Sequence, residues 1–280
     1  MRTEPPEILY RLLGVIEKLR LLRLTYRLYL LLEQYAPHNL WRTIRRDKIA
    51  PDGILFPPPR LRTTVAGKSD PSWWFGSGEL SARDILGTLA ENGFYIGSGW
   101  KVLDFGCGAG RVIRHLWSVA RADLYGTDSN PMLVDWCDRV LKFAQFTLSQ
   151  PTPPLMYPAS YFDVIYAISV LTHLPEEDQL SWMREFSRVL RPGGLLLITT
   201  HGECYLGRLN GEDKKRFMDG KMVIRRPAYA GSNLCTAFHP EEYVRHTLSK
   251  GFEMIDWVSG GAKGTPRQDI FLLRENHTQL

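Results

Sequence analysis

The sequence predicts an α/β fold: a doubly wound, mostly parallel seven-stranded sheet that ends in an antiparallel hairpin, preceded by an N-terminal helical extension. Three observations predict it. Runs of strand and helix character alternate between residues 101 and 200, the signature of a parallel sheet. One of them, Lys101-Val-Leu-Asp-Phe-Gly-Cys-Gly-Ala-Gly-Arg111, reads as a buried strand that enters a glycine-rich turn and then opens a helix. Near the C-terminus two strand-like runs, 252–258 and 269–273, are separated by the glycine-rich stretch 260–264, and that close spacing favours a hairpin at the sheet edge.

In chain order, the first element is a Leu- and Arg-rich segment at 7–35. Ile8, Leu12, Val15, Leu19, Leu22, Tyr26 and Tyr29 recur in alternating steps of four and three, a heptad stripe on one helix face. Leu21, Leu24, Leu28 and Leu31 add a second apolar side. Lys18, Arg20, Arg23 and Arg27 interrupt every long uncharged run, which excludes a membrane-spanning helix on length. Three readings stay open: packing on the chain's own main domain, a homodimer through this helix, or peripheral contact with an anionic membrane. Residues 1–48 carry an excess of cations equal to the whole formal net charge of +5, and the remainder is close to neutral. Such a segment suits an anionic partner, although a solvated helix face explains it too. Pro51, Gly53, Pro57-Pro-Pro59 and Gly67 predict an extended, stiff connector over 49–71. Residues 1–70 are thus expected to be extension and linker, and 71–280 the main domain.

Trp73-Trp-Phe75 precedes a helix predicted at 79–92, and this aromatic cluster either closes over a ligand or packs on the domain. Strands follow at 101–105, 123–127, 143–148, 162–168 and 194–200, with helices at 111–120, 131–141 and 176–190 between them. Pro175 followed by Glu176, Glu177 and Asp178 is a good helix start, with a fixed φ and then acids on the positive end of the dipole. Residues 202–239 are mixed and charged, including Glu212-Asp-Lys-Lys-Arg216 and Arg225-Arg226. They read either as a substrate-binding flap or as a solvated insertion. A further helix is expected at 240–250.

Composition bounds the answer. A chain of 280 residues with 44% hydrophobic content can bury one substantial core plus an appendage. Cys107, Cys137, Cys204 and Cys235 show no C-x-x-C spacing, so neither a zinc ribbon nor a disulfide framework is indicated. A reducing, cytoplasmic setting fits, and Pro5, Pro6 and early charges speak against a secretory leader.

The ligand site is expected where the glycine turn meets the next strand. Gly106, Gly108 and Gly110 let the backbone turn sharply and let a ligand lie against bare main chain, although tight turns also need glycine for packing alone. Asp128 follows roughly twenty residues later, the spacing at which a carboxylate grips ribose hydroxyls. The alternative is that Asp128, Ser129 or Asn130 caps the helix beginning at Pro131. The turn reads G-x-G-x-G with Asp104 before it, rather than the G-x-G-x-x-G of dinucleotide sites.

At these residues the chain resembles the class I S-adenosylmethionine-dependent methyltransferases. Asp-Phe-Gly-Cys-Gly-Ala-Gly is similar to that family's first motif and Asp128 to its ribose-binding acid. Tyr161-Phe-Asp-Val-Ile-Tyr-Ala-Ile-Ser169 and Leu190-Arg-Pro-Gly-Gly-Leu-Leu-Leu-Ile198 are similar to its fourth- and fifth-strand motifs. The resemblance implies a Rossmann-like methyltransferase fold with S-adenosyl-L-methionine as cofactor. It also implies a cofactor site drawn from Asp104, Phe105, Gly106, Cys107, Gly108, Gly110, Asp128, Ser129, Met132, Ser149, Ile168 and Ser169. Phe105 to Gly108 would face its amino-acid end. An acid is missing where the family usually contacts adenine after the third strand, at Ser149-Gln150.

Methyl transfer asks mainly for alignment, worth about 7–11 kcal/mol. A hydroxyl acceptor gains from a base as well. His201, just past the fifth strand beside Glu203, which would orient its ring or bind substrate, is the leading candidate and His173 the second, each weighed against a purely structural histidine. Trp73, Glu203, Tyr205 and His239 are candidate substrate contacts. The histidines and Glu203 lack tight metal-ligand spacing, so no metal is expected. The chain has neither an Asn/Asp-Pro-Pro-Tyr run nor a Pro-Cys pair, and basic residues are sparse at the site, which disfavours a nucleic-acid substrate. A small-molecule, sugar or lipid-linked acceptor methylated at a hydroxyl therefore leads. The alternatives are a non-catalytic scaffold or regulatory subunit acting through the N-terminal helix, and an NAD-dependent enzyme.

Overall fold

The computed structural model describes residues 21–34, 49–117, 121–264 and 267–276. The chain divides into two compact units, Met1–Trp74 and Phe75–Leu280.

In the N-terminal unit, helix α1 (Leu22–Gln34) packs on helix α2 (Pro59–Ala66). The first part of the heptad stripe, Ile8 to Leu19, lies outside the described residues. Of the rest, Leu22 is buried, and the Tyr29 hydroxyl donates to the Gly67 carbonyl at 2.9 Å. Leu21, Leu24, Leu28 and Leu32 are exposed. Helix α2 corrects the expectation of an extended connector. Proline is tolerated in a first helical turn, where its missing N–H is not needed, so Pro59 starts this helix rather than breaking one. Gly67, at φ 65°, ends it by donating its N–H to the Thr63 carbonyl. Arg62 is buried because its guanidinium serves the Ser69 carbonyl, at 2.6 Å, and the Pro57 carbonyl. Helix α3 (Pro71–Glu91) begins earlier than predicted and takes in the aromatic cluster. Asp70 Oδ1 accepts from the N–H groups of Ser72 and Trp73 at 2.8 and 3.3 Å, a cap reinforced by Pro71 in the first turn.

The second unit holds a seven-stranded sheet. Its strands are β1 (Lys101–Phe105), β2 (Asp123–Asp128), β3 (Ala144–Leu148), β4 (Phe162–Ala167), β5 (Leu190–Thr200), β8 (Phe252–Ala262) and β9 (Gln268–Glu275), ordered β3-β2-β1-β4-β5-β9-β8. The pairs among the first five are parallel, and β9 is antiparallel to both β5 and β8, as the hairpin expectation required. Central strands covered on both faces read as unbroken apolar runs. Val164 to Ala167 and Leu195 to Ile198 are accordingly buried throughout. Strand β5 starts before Pro192-Gly-Gly, because a bulge between the Phe162–Leu190 and Val164–Leu195 pairs absorbs those residues.

The connecting helices are α4 (Ile113–Leu116), shorter than the predicted 111–120, of which 118–120 lie outside the described residues, then α5 (Pro131–Val140) and α6 (Glu176–Val189). Acids at Glu176, Glu177 and Asp178 and a base at Arg188 oppose the dipole of α6. Its inner face drives Trp182 and Phe186 against Phe105 of β1, with ring centroids 4.6 and 4.8 Å away. The predicted helix 240–250 is a single α-turn (α8, Glu241–Tyr243) continued as a π-turn over Val244–Leu248. Residues 202–239 are folded rather than merely solvated. Helix α7 (Gly211–Met218) and the antiparallel pair β6 (Val223–Arg225) and β7 (Thr236–Phe238) enclose a small core of Tyr205, Leu209, Phe217, Val223 and Phe238.

Removing the Phe186 ring leaves a cavity between α6 and the sheet. Phe186→Ala should cost about 3–5 kcal/mol, read as a lowered denaturant midpoint with an unchanged slope.

Candidate functional site

Strand order reverses between β1 and β4, which opens a crevice at their carboxyl ends. The glycine turn stands there. Gly106, Gly108 and Gly110 adopt φ of 74, 56 and 74°. A Cβ on Gly106 would come within 2.5 Å of Val170 Cγ2, and one on Gly110 within 2.2 Å of Leu141 Cδ1. Close packing therefore requires both of these glycines. The N–H groups of Gly106 and Cys107 are spent on the Thr127 carbonyl, at 2.8 and 3.0 Å.

Gly108 instead donates to Asp128 Oδ2 at 2.9 Å, and Asp128 Oδ1 accepts from the Asn130 N–H at 2.9 Å. The helix cap belongs to Asn130, whose Oδ1 accepts from the Met132 N–H at 3.0 Å. Asp128 is thereby released from capping and fastens the end of β2 to the turn. Burial raises its pKa, and N–H donation from Asn130, Gly108 and Ser129 opposes the rise. Ser149, after β3, donates its N–H to the Asp128 carbonyl at 3.0 Å, and Met132 stands exposed at the start of α5. Gly108, Ser129 and Ser149 thus meet at Asp128.

Asp104 is buried at the end of β1. Burial pushes its pKa to about 7; the Tyr166 hydroxyl, Arg111 and the Ile113 N–H pull it back, and Asp128 adds to the rise. Its Oδ2 has no hydrogen-bond partner within ordinary geometry among the described residues, and β1–β4 pairing places Asp104 opposite Tyr166. Arg111 is itself buried. Its Nη1 donates to Ser77 Oγ, Ser81 Oγ and the Gly264 carbonyl at 3.2, 3.4 and 3.2 Å, tying α3 and the β8–β9 loop to the turn.

Past β4, Ile168 is half-buried and Ser169 takes a left-handed φ of 60°. A non-glycine residue in that region costs on the order of 1–3 kcal/mol and persists where its surroundings fix it. Here the Ser169 N–H donates to Thr199 Oγ1 at 2.8 Å, Thr199 donates to Gln268 Oε1 at 2.7 Å, and Gln268 Nε2 donates to Ser169 Oγ at 2.9 Å.

The histidines gather against the inserted segment. Nδ1 of His173 lies 2.8 Å from the Cys235 carbonyl and Nδ1 of His201 lies 3.1 Å from the Ala237 carbonyl. A carbonyl can only accept, so both rings carry the proton on Nδ1 and keep the lone pair on Nε2. Burial lowers the pKa of His201 to about 3, with His173 and His239 contributing, and burial lowers that of His173. Tyr205 lies over His201, ring centroids 4.2 Å apart.

Several expectations are corrected. The Phe105 side chain faces the core on Trp182 and Phe186, not a ligand. The Cys107 thiol is buried, 3.7 Å from the Gly108 carbonyl. Glu203 is exposed and does not orient His201, because the Ala237 carbonyl does. His239 is wholly buried with Nε2 on Gln179 Oε1 at 2.8 Å, so it acts in the packing and is not open to a substrate. Trp73 belongs to the N-terminal unit, where Lys68 Nζ stands 4.9 Å over its ring. No group of metal-ligating side chains occurs among the described residues. Sequence reasoning missed Tyr166, Arg111, Thr199 and Gln268. Arg111 was legible as the residue closing the glycine turn, whereas Gln268 reaches Ser169 from 99 positions away with no local signal.

A carboxyl raised from 3.8 to about 7 keeps its proton in the folded chain over that window and loses it in the unfolded one, so folding weakens as pH rises between those values. Asp104→Asn should flatten this slope, and thermal denaturation at about pH 5 and about pH 8 measures it.

Residues 78–255 match the family described as Methyltransferase domain. The chain is 38% identical over 109 residues to methyltransferase GfsG of Streptomyces halstedii, covering 37% of this chain and 38% of that protein. It is 30% identical over 109 residues to the sterol 24-C-methyltransferase erg6 of Aspergillus fumigatus, covering 36% and 27%. The chain thus spans well under half the length of these curated relatives. The S-adenosylmethionine dependent methyltransferase of Mesorhizobium loti shares the fold at a TM-score of 0.53 and 15% identity, over 70% of this chain and 100% of that one. With the family match covering the glycine turn, the β2 acid and the switch point between β1 and β4, the chain belongs to the class I S-adenosylmethionine-dependent methyltransferases.

Proposed function

We propose that this chain holds S-adenosylmethionine across the ends of β1, β2 and β4 and methylates a hydroxyl of a small-molecule, sugar or lipid-linked acceptor. The observation that carries the reading is the pair of carboxylates, Asp104 and Asp128, flanking the glycine turn at adjoining strand ends. The cofactor, when bound, supplies a methyl group on a sulfonium leaving group. Asp128 takes N–H donation from Gly108, Asn130 and Ser129, and a carboxylate offers about four acceptor sites, so it can also accept from a ribose hydroxyl. Asp104, poised near neutrality, favours a cationic group beside it.

The hydroxyl reading draws support from His201. Its Nδ1–H is committed to Ala237, which leaves Nε2 as an acceptor that stays neutral at physiological pH. A base this weak does not ionise an alcohol in advance. It can take the proton late, once carbon–oxygen bond formation has made the hydroxyl strongly acidic. A carbon acceptor is the second reading, favoured by the sterol 24-C-methyltransferase relative.

Asp128→Ala should weaken S-adenosylhomocysteine binding by calorimetry about 10- to 100-fold while leaving circular dichroism unchanged. His201→Ala should lower kcat about 10²–10⁴-fold with little change in KM, in mass-spectrometric assays over phenol, sugar and sterol acceptors. No binding of either cofactor form by the native chain would overturn the reading, and an unchanged kcat in His201→Ala would remove the base.

A further inference from the structure

Helix α1 presents two apolar faces with different fates. At about 100° per residue, Leu22, Tyr26 and Tyr29 share one side and Leu21, Leu24, Leu28 and Leu32 fall within a separate arc of roughly 80°. The first side is partly occupied within the N-terminal unit: Leu22 is buried, and Tyr29, though 46% exposed, is held by its hydrogen bond to Gly67. The second is uncovered: the four leucines are 44, 63, 53 and 60% exposed. Four leucines exposed along one helix face need an occupant.

Charge selects it. Residues 1–48 hold ten Lys and Arg against five Asp and Glu, which accounts for the chain's entire formal net charge of +5. Between residues 18 and 32 there are four cations, Lys18, Arg20, Arg23 and Arg27, and no acid. Arg27 is exposed on α1 about 60° outside the leucine arc, flanking it. A second copy docked on this face would bring cations against cations, which disfavours a homodimer there. An anionic lipid surface accepts both components, leucines into the acyl boundary and long basic side chains at the headgroups. No described helix is long and apolar enough to cross a membrane, so the contact is one of lying on the surface. We infer that the Leu21-Leu24-Leu28-Leu32 face of α1 docks this protein on anionic phospholipid membranes. The inference is independent of the methyl-transfer reading.

The test is co-sedimentation of the full chain with phosphatidylcholine vesicles, with and without phosphatidylglycerol, at low and high salt. Binding to the anionic vesicles should be at least about tenfold tighter than to the zwitterionic ones and should weaken with salt. The double variant Leu24→Glu/Leu28→Glu should lose at least about tenfold in vesicle affinity. It should keep its circular dichroism and its S-adenosylhomocysteine affinity, since these leucines are exposed. Absence of binding, equal binding to both vesicle types, or an unaffected double variant would overturn the inference. So would light scattering that showed a dimer dissociated by the same double variant, which would assign the face to a second copy.

Discussion

The hydrogen bond from the Gly108 N–H to Asp128 Oδ2 is the constraint on which the site depends. It joins the middle of the glycine turn to the end of the neighbouring strand. A carboxylate buried at that point would be costly without donors, and the backbone N–H groups of Gly108, Asn130 and Ser129 supply them. Because Asn130 caps the following helix, Asp128 has no capping duty there. Turn, strand end and helix start therefore hold one another in place.

Around that link the protein concentrates polar groups that its core has not neutralised by pairing. Asp104 is buried opposite Tyr166, with its Oδ2 lacking a hydrogen-bond partner among the described residues. Arg111 is buried beside them and spends its donors on α3 and the β8–β9 loop. Ser169 is held in a left-handed conformation by Thr199 and Gln268. Buried polar groups and a strained residue crowded at a sheet's switch point are what a preorganised ligand site requires.

Much of this was legible in the sequence, for identifiable reasons. The parallel strands announce themselves as apolar runs, and the Gly-x-Gly-x-Gly turn with Asp128 fixes the crevice through local spacing. Prolines misled where they start helices: Pro59 and Pro71 were read as linker, because proline's role depends on whether the N–H it lacks would have been used. Side-chain direction at strand ends was the other blind spot. Phe105 follows Asp104 in the chain, yet pleating sends it to the opposite face, against Trp182 and Phe186. The Ala237 carbonyl that orients His201 lies 36 positions away, beyond the reach of any local pattern, so Glu203 was the natural but mistaken choice.

The carbonyls of Cys235 and Ala237 come from one short stretch of the inserted subdomain, and between them they set the tautomers of His173 and His201. That stretch joins two cores: Phe238 packs in the small core of the inserted segment, and Ala237 packs in the main core that also holds Phe105 and Phe186. A shift of that one stretch would thus turn both imidazoles together, and the main core packed against Ala237 ties their orientation to the stability of the sheet itself.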